Sequence, residues 1–269
     1  MATPESVIVI PARYASTRYP GKPLVGLKGA GGVTKPLIQR VWEVAGQVVE
    51  ADAIYVATDD TRIADVAKDF GADVIMTSEA CRNGTERCAD AIEKAGISSD
   101  IVVNLQGDAP LTPPAFLSAL IGAMQDAPEI DAATPVLRCD AETLAMFQED
   151  RREGRVGGTT AVFGAGHQAL YFSKEVIPYT GAWKPEAQPV PVFHHVGVYA
   201  YRPAALSRYL GWAEGPLEKL EGLEQLRFLE NGAHLRCVEV EAPGRVFWEL
   251  NNPEDAPRIE SILAREGTA

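Results

Sequence analysis

Four short, nearly continuous apolar runs punctuate the first half of the chain: residues 7–10 (VIVI), 53–58 (AIYVAT), 73–76 and 101–105 (IVVNL). Runs of this length without polar alternation suit strands buried on both faces of a sheet. Helical patterns lie between them, at 36–49, 61–70, 85–95 and 113–124. Asp60 is placed to cap the second of these and Gly71 to end it. Asn83-Gly84 leads into the third, and the fourth is expected to take Thr112 as its cap with Pro113 at the first helical position. Strands separated by helices predict an α/β protein, with a Rossmann-like, mostly parallel central sheet covered on both faces.

From about residue 188 the pattern changes. PVPVFHHVGVYAY (189–201) is β-rich with alternation, and leucines then recur at 217, 220, 223, 226 and 229, which predicts one helix stopped by Asn231-Gly232. Residues 253–264 read as a final amphipathic helix. With no internal repeat and no evident linker, one domain over 1–269 is expected, with a smaller β-rich subregion at about 188–230.

Composition narrows the class. The 269 residues are 46% hydrophobic and 23% charged, ordinary values for a globular chain. A formal net charge of −12 argues against a nucleic-acid binder, which needs a basic surface, but not against binding a single nucleotide. Cys81, Cys88, Cys139 and Cys237 form no Cys-x-x-Cys pair, so free thiols in a reducing cytosol are expected. The apolar run at 6–10 is too short for a signal peptide or a membrane span, which predicts a cytoplasmic protein.

Chemistry concentrates in PARYASTRYPGKPL, residues 11–24, directly after the first strand. In open α/β sheets ligands sit at the carboxyl ends of strands. Small residues (Ala12, Ala15, Ser16, Gly21) let the backbone approach an anion, and Arg13, Arg18 and Lys22 supply cations for a triphosphate. The segment lacks the Gly-Lys-Ser/Thr ending of a Walker loop and the Gly-x-Gly-x-x-Gly dinucleotide turn. Asp108 follows the fourth strand and the turn Gln106-Gly107, a suitable place for a carboxylate that holds Mg²⁺ against phosphate oxygens.

This string, together with YVATDD (55–60), GTER (84–87), NLQGDAPL (104–111), ALYFSKEVIPY (169–179), HVGVYAYR (195–202), LEKLEGLEQLR (217–227) and NPED (252–255), resembles the 3-deoxy-manno-octulosonate (Kdo) cytidylyltransferase family over nearly the whole chain. The resemblance implies transfer of CMP from CTP to the anomeric hydroxyl of an acidic sugar, in lipopolysaccharide biosynthesis, by a Mg²⁺-dependent homodimer. It implies Arg13, Lys22 and Asp108 as catalytic residues. Pro11, Ala12, Ser16, Asn83, Gly84, Thr85, Arg87 and Gln106 join Arg13 and Lys22 in holding the nucleotide. Lys174, His195, Tyr199, Glu224 and Gln225 hold the sugar, and Asp108 with Asn251 holds the metal. An isologous interface is expected from the 188–201 strands and the Leu-rich helix.

The chain departs from the family pattern at several positions. Ala109 follows Gln-Gly-Asp in place of an acidic or amide residue, Asn251 stands where a second metal-binding Asp is expected, Thr160 replaces a strand Lys, and Lys174 replaces an Arg. The segment 27–35 is longer than the family's turn. These changes leave two alternatives to Kdo activation: a cytidylyltransferase for another acidic acceptor (another ulosonic acid or a phosphonate), and a non-catalytic nucleotide-sugar-binding paralogue.

Overall fold

The structure is a computed structural model that describes residues 5–15, 19–156, 158–181, 183, 189–242 and 248–269. In chain order, β1 (Ser6–Ala12), the hairpin β2 (Gly26–Lys28) and β3 (Thr34–Pro36), α1 (Leu37–Ala45), β4 (Ala53–Thr58), α2 (Thr61–Asp69), β5 (Asp73–Met76), α3 (Gly84–Ala95), β6 (Ile101–Leu105) and α4 (Pro114–Asp126) make the first half. The second half comprises β7 (Ala132–Arg138), α5 (Ala141–Arg152), β8 (Thr160–Phe163), β9 (Ala169–Ser173), β10 (Phe193–His195), β11 (Val198–Tyr201), α6 (Pro203–Gly211), α7 (Pro216–Glu221), α8 (Leu226–Glu230), β12 (Leu235–Val240) and α9 (Ala256–Arg265).

Ten strands form one sheet in the order β5-β4-β1-β6-β11-β7-β10-β8-β9, with β12 on the other side of β7. The four strands of the first half pair in parallel, and β12 runs parallel to β7. Strands β8 to β11 join antiparallel, so the sheet is mixed in its second half. The unbroken apolar runs are explained by two cores. Ile8, Ile10 and Val103 point into a core with α1, α2, α4 and α9, whereas Val7, Val9 and Val102 point into a core with α3, α6 and α8. Each such fully buried Val or Ile contributes about 1.5–3 kcal/mol relative to exposure.

Three expectations are corrected. The fourth helix starts at Pro114, with Pro113 as an extended N-cap (ψ 129) that makes no side-chain cap bond. The residue before a proline is pushed out of the α region, so neither Thr112 nor Pro113 opens the helix. The first helix ends at Ala45 against Gly46, short of residue 49. The Leu-rich run is two helices, because Gly222 takes a left-handed conformation (φ 63) that closes α7, and α8 begins only at Leu226. The turn 222–225 between them carries Glu224 and Gln225.

In the segment 189–201, Val190 and Val192 are buried with Leu144 and Phe147 of α5, and Val196 and Val198 are buried in the main core. The exposed apolar residues of this half include Leu170, Tyr179, Leu217 and Leu220. The long 27–35 segment folds as the β2–β3 hairpin and packs on α9, where the Lys28 N–H donates to Glu260 Oε1 at 2.8 Å. Buried Arg40 ties the hairpin down by donating to the carbonyls of Leu27 and Val33.

Candidate active site

At the carboxyl ends of β1 and β6 a cavity of about 260 Å³ is lined by Pro11, Ala12, Arg13, Lys22, Pro23, Asn83, Gly84, Arg87, Gln106, Gly107 and Asp108. The sequence motifs thus converge. Lys22 opens a short 3-10 turn (Lys22–Leu24), and its Nζ meets Asp108 Oδ2 at 2.6 Å. Gly107 lets the turn before Asp108 pack against the β1 end: a Cβ there would stand 2.7 Å from the Pro11 carbonyl oxygen, a backbone atom, so one of the two segments would have to shift. Ser16 lies outside the described residues.

The third wall is the N-terminus of α3. Asn83 caps it, accepting the Glu86 N–H at 2.8 Å through Oδ1 while its Nδ2 donates to the Tyr209 hydroxyl at 3.1 Å. A twelve-residue helix aims its positive end at the cavity, which favours an anionic ligand, while the N–H groups of Thr85, Glu86 and Arg87 are already bonded to Glu224 and Asn83. Arg87 lines the cavity, but its guanidinium is buried in an ion pair with Asp59 (2.8 Å) and a hydrogen bond to Thr77 (2.6 Å). It shapes the wall with its charge already balanced. Thr85 is fully buried behind the wall, its Oγ1 2.8 Å from the Tyr201 hydroxyl. Gln106 Nε2 donates to Asn104 Oδ1 at 3.1 Å.

A second group of predicted residues lies on the far side of the α3 turn. Glu224 is half-buried and accepts the Thr85 N–H at 3.3 Å. Burial pushes its carboxyl up to about 7, and the Thr85 hydrogen bonds only partly oppose this. The Tyr199 hydroxyl donates to Gln225 Oε1 at 3.1 Å, and Tyr199 stands opposite Asn104 in the β11–β6 register. The Gln225 Nε2 and Asn104 Nδ2 atoms are buried without a partner among the described residues.

His195 is held neutral, because burial, with a smaller push from His194, lowers it to about 3. Its Nε2 lies 2.9 Å from Thr134 Oγ1, which itself donates to the Val198 carbonyl at 2.8 Å. A hydroxyl with its one proton so used must accept from Nε2–H, which leaves Nδ1 as an acceptor. Lys174 is set by Glu221, whose carboxylate accepts the Lys174 N–H at 2.8 Å and the Ser173 hydroxyl at 2.6 Å. The Lys174 ammonium rests over Gly222, 3.1 Å from where a Cβ would stand. Thr160 turns its hydroxyl to the Glu175 carbonyl at 2.6 Å and so ties the start of β8 to the segment that follows β9.

For a metal, Asp108 supplies one carboxylate. The Leu250 N–H donates to the Asp108 carbonyl at 2.9 Å, which carries neighbouring Asn251 to the same corner. Asn251 is itself held by Asp255 and Glu249. Among the described residues no group of three or more His, Cys, Asp or Glu is arranged to hold a metal ion. This donor set fits Mg²⁺, which binds through one or two protein oxygens and completes its octahedron with phosphate and water.

The partners that sequence reading passed over are polar residues inside apolar runs. Asn104 sits in IVVNL, Thr134 in AATPVLR and Arg227 among the leucines, and a polar group at a core position needs a bonded partner. That signal marks the position, though not which partner it takes.

A family model described as cytidylyltransferase matches residues 7–242. The 3-deoxy-manno-octulosonate cytidylyltransferase of Maricaulis maris is 43% identical over 96% of this chain and 97% of that protein. The mitochondrial enzyme of the same name from Arabidopsis thaliana is 41% identical over 95% of this chain and 82% of that protein. Among solved structures, CMP:2-keto-3-deoxy-manno-octonic acid synthetase complexed with CTP superposes with a TM-score of 0.83 at 35% identity, covering 97% of this chain and 99% of the other. With three of its motifs lining one cavity and nearly its whole length shared with these proteins, the chain belongs to the 3-deoxy-manno-octulosonate cytidylyltransferases.

Proposed function

We propose that this protein transfers CMP from CTP to the anomeric hydroxyl of 3-deoxy-manno-octulosonate and releases pyrophosphate. The observation that carries the reading is the cavity in which Arg13, Lys22 and Asp108 meet the N-terminus of α3, within a chain that shares its fold and length with a CTP-complexed synthetase. The anomeric oxygen forms a bond to the α-phosphorus as the bond from that phosphorus to the bridging oxygen breaks. The hydroxyl proton leaves to solvent and the electron pair leaves with pyrophosphate.

Such a displacement needs positioning and charge stabilisation more than covalent help. Arg13 and Lys22 neutralise the phosphates, and the positive end of α3 favours them there. On the acceptor side Glu224 in its ionised form and His195 Nδ1 accept sugar hydroxyls. The Gln225 amide donates to them, and the Lys174 ammonium holds the carboxylate. Asp108 and Asn251 would hold Mg²⁺, which when bound screens the triphosphate and favours ionisation of the attacking hydroxyl. We also read the protein as a cytoplasmic homodimer. No described helix is long and apolar enough to cross a membrane, and exposed Leu170 and Tyr179 supply apolar surface.

Pyrophosphate release from CTP and Mg²⁺ over a panel of 3-deoxy-manno-octulosonate, other ulosonic acids and phosphonates tests the reading. The highest kcat/KM is expected with 3-deoxy-manno-octulosonate. Faster turnover of another acceptor transfers the assignment to it, and CTP binding with no pyrophosphate from any acceptor overturns catalysis.

A further inference from the structure

Arg227 lies on α8, two residues beyond Gln225, and is fully buried. Its Nε and one terminal nitrogen fork onto the Glu218 carboxylate of α7 at 2.7 and 2.6 Å. Its other terminal nitrogen donates to Glu86 Oε1 of α3 at 3.1 Å. The guanidinium also stacks 4.1 Å above the Tyr209 ring. That hydroxyl accepts from Asn83 and donates to the Glu224 carbonyl at 3.3 Å. One cation therefore joins the two helices bounding the turn 222–225 to the first turn of α3, whose Asn83 and Gly84 face the nucleotide cavity.

We propose that Arg227 is a positioning residue that registers the acceptor-side turn carrying Glu224 and Gln225 against the nucleotide-side end of α3, so that it sets acceptor recognition without touching either substrate. The inference rests on the CMP-transfer reading of the same site. Its physical basis is that a bidentate fork plus a third bond leaves the arginine no rotational freedom. Two short helices of six and five residues have little stability of their own to hold a turn in place. Lysine cannot reproduce that fork.

The test is steady-state pyrophosphate release by Arg227→Met, Arg227→Lys and Glu218→Gln, with calorimetric binding of CTP as a check on the nucleotide side. Misplacement of a substrate-holding turn by an ångström is worth up to about 10²-fold. Arg227→Met is accordingly expected to raise the acceptor KM at least about tenfold while CTP affinity stays within about twofold. Arg227→Lys should recover only part of this, and Glu218→Gln should fall between the wild type and Arg227→Met.

Unchanged acceptor KM in a folded variant, or a parallel rise in both KM values, overturns the assignment. If Arg227→Met does not fold, Glu218→Gln decides on the same criteria. Should the wild type turn over no acceptor, the functional reading falls separately. The Arg227 assignment is then read from unfolding free energy between pH 5 and 8. Glu224 faces Tyr199, Tyr201, Tyr209, Cys88, Glu218 and Arg227, and its pH slope is expected to flatten when the turn is released into solvent. A wild-type slope in a folded variant overturns it.

Discussion

Replacing Glu224 by glutamine should make the protein more stable and less active, and the size of the gain follows from burial. Burial raises the carboxyl to about 7 in the folded chain from its ordinary 4.5. Because the native state holds the proton more tightly, unfolding free energy falls as pH rises from about 4.5 to 7 and then levels off. At about 1.4 kcal/mol per pH unit, the ionised carboxylate costs the native state about 3 kcal/mol at pH 8 and under about 1 kcal/mol at pH 5. Glutamine keeps the shape and an oxygen for the Thr85 N–H but carries no charge. At about 2–4 °C per kcal/mol for a chain of this size, the variant should melt roughly 6–12 °C higher at pH 8, with most of the advantage gone at pH 5. Thermal and urea unfolding of both proteins at the two pH values measure this. Equal stability at pH 8, or an advantage that persists undiminished at pH 5, would refute the account of Glu224 as a desolvated carboxylate. The cost should show in turnover, since a neutral amide cannot replace an anionic acceptor for the sugar hydroxyls.

Lys22→Ala and Asp108→Asn should each lower kcat by about 10²–10³ with little change in melting temperature, since both groups act on developing charge at the edge of the fold. Chelation of divalent cations should stop pyrophosphate release, and added Mg²⁺ should restore it; full turnover in excess chelator would remove the metal from the scheme. Gly107→Ala places a Cβ 2.7 Å from the Pro11 carbonyl oxygen. It should cost about 1–3 kcal/mol in unfolding experiments and weaken CTP binding in calorimetry, because the β6 turn must retreat from the β1 loop. Glu221→Gln weakens the contacts that seat Lys174 and should raise the acceptor KM while leaving CTP binding intact.

The parallel half of the sheet was legible because Val7 to Ile10 and Ile101 to Val103 are apolar on both faces, and only a doubly covered strand requires that. The helices at α2 and α3 were legible from Asp60 and Asn83, whose caps the structure contains. The leucine repeat misled because a three-residue spacing resembles a helical stripe, whereas the left-handed conformation of a single glycine decides where the helix stops. Strands β7, β8, β9 and β12 did not stand out because their runs mix polar residues whose partners come from distant segments: Thr134 pairs with His195, and Thr160 reaches Glu175. The cavity residues of the first and fourth apolar runs fell together because β1 and β6 are neighbours in the sheet. The neutralisation of Arg87 by Asp59 was hidden, since it joins motifs 28 residues apart in the chain.

The break at Gly222 bears on how new acceptors are acquired. The tetrapeptide it opens is braced from behind and faces Lys174 in front, so its side chains can be exchanged like the bit of a key while the shank stays unchanged. Drift in these few positions would retune which sugar is chosen and leave the triphosphate grip of the opening strand untouched.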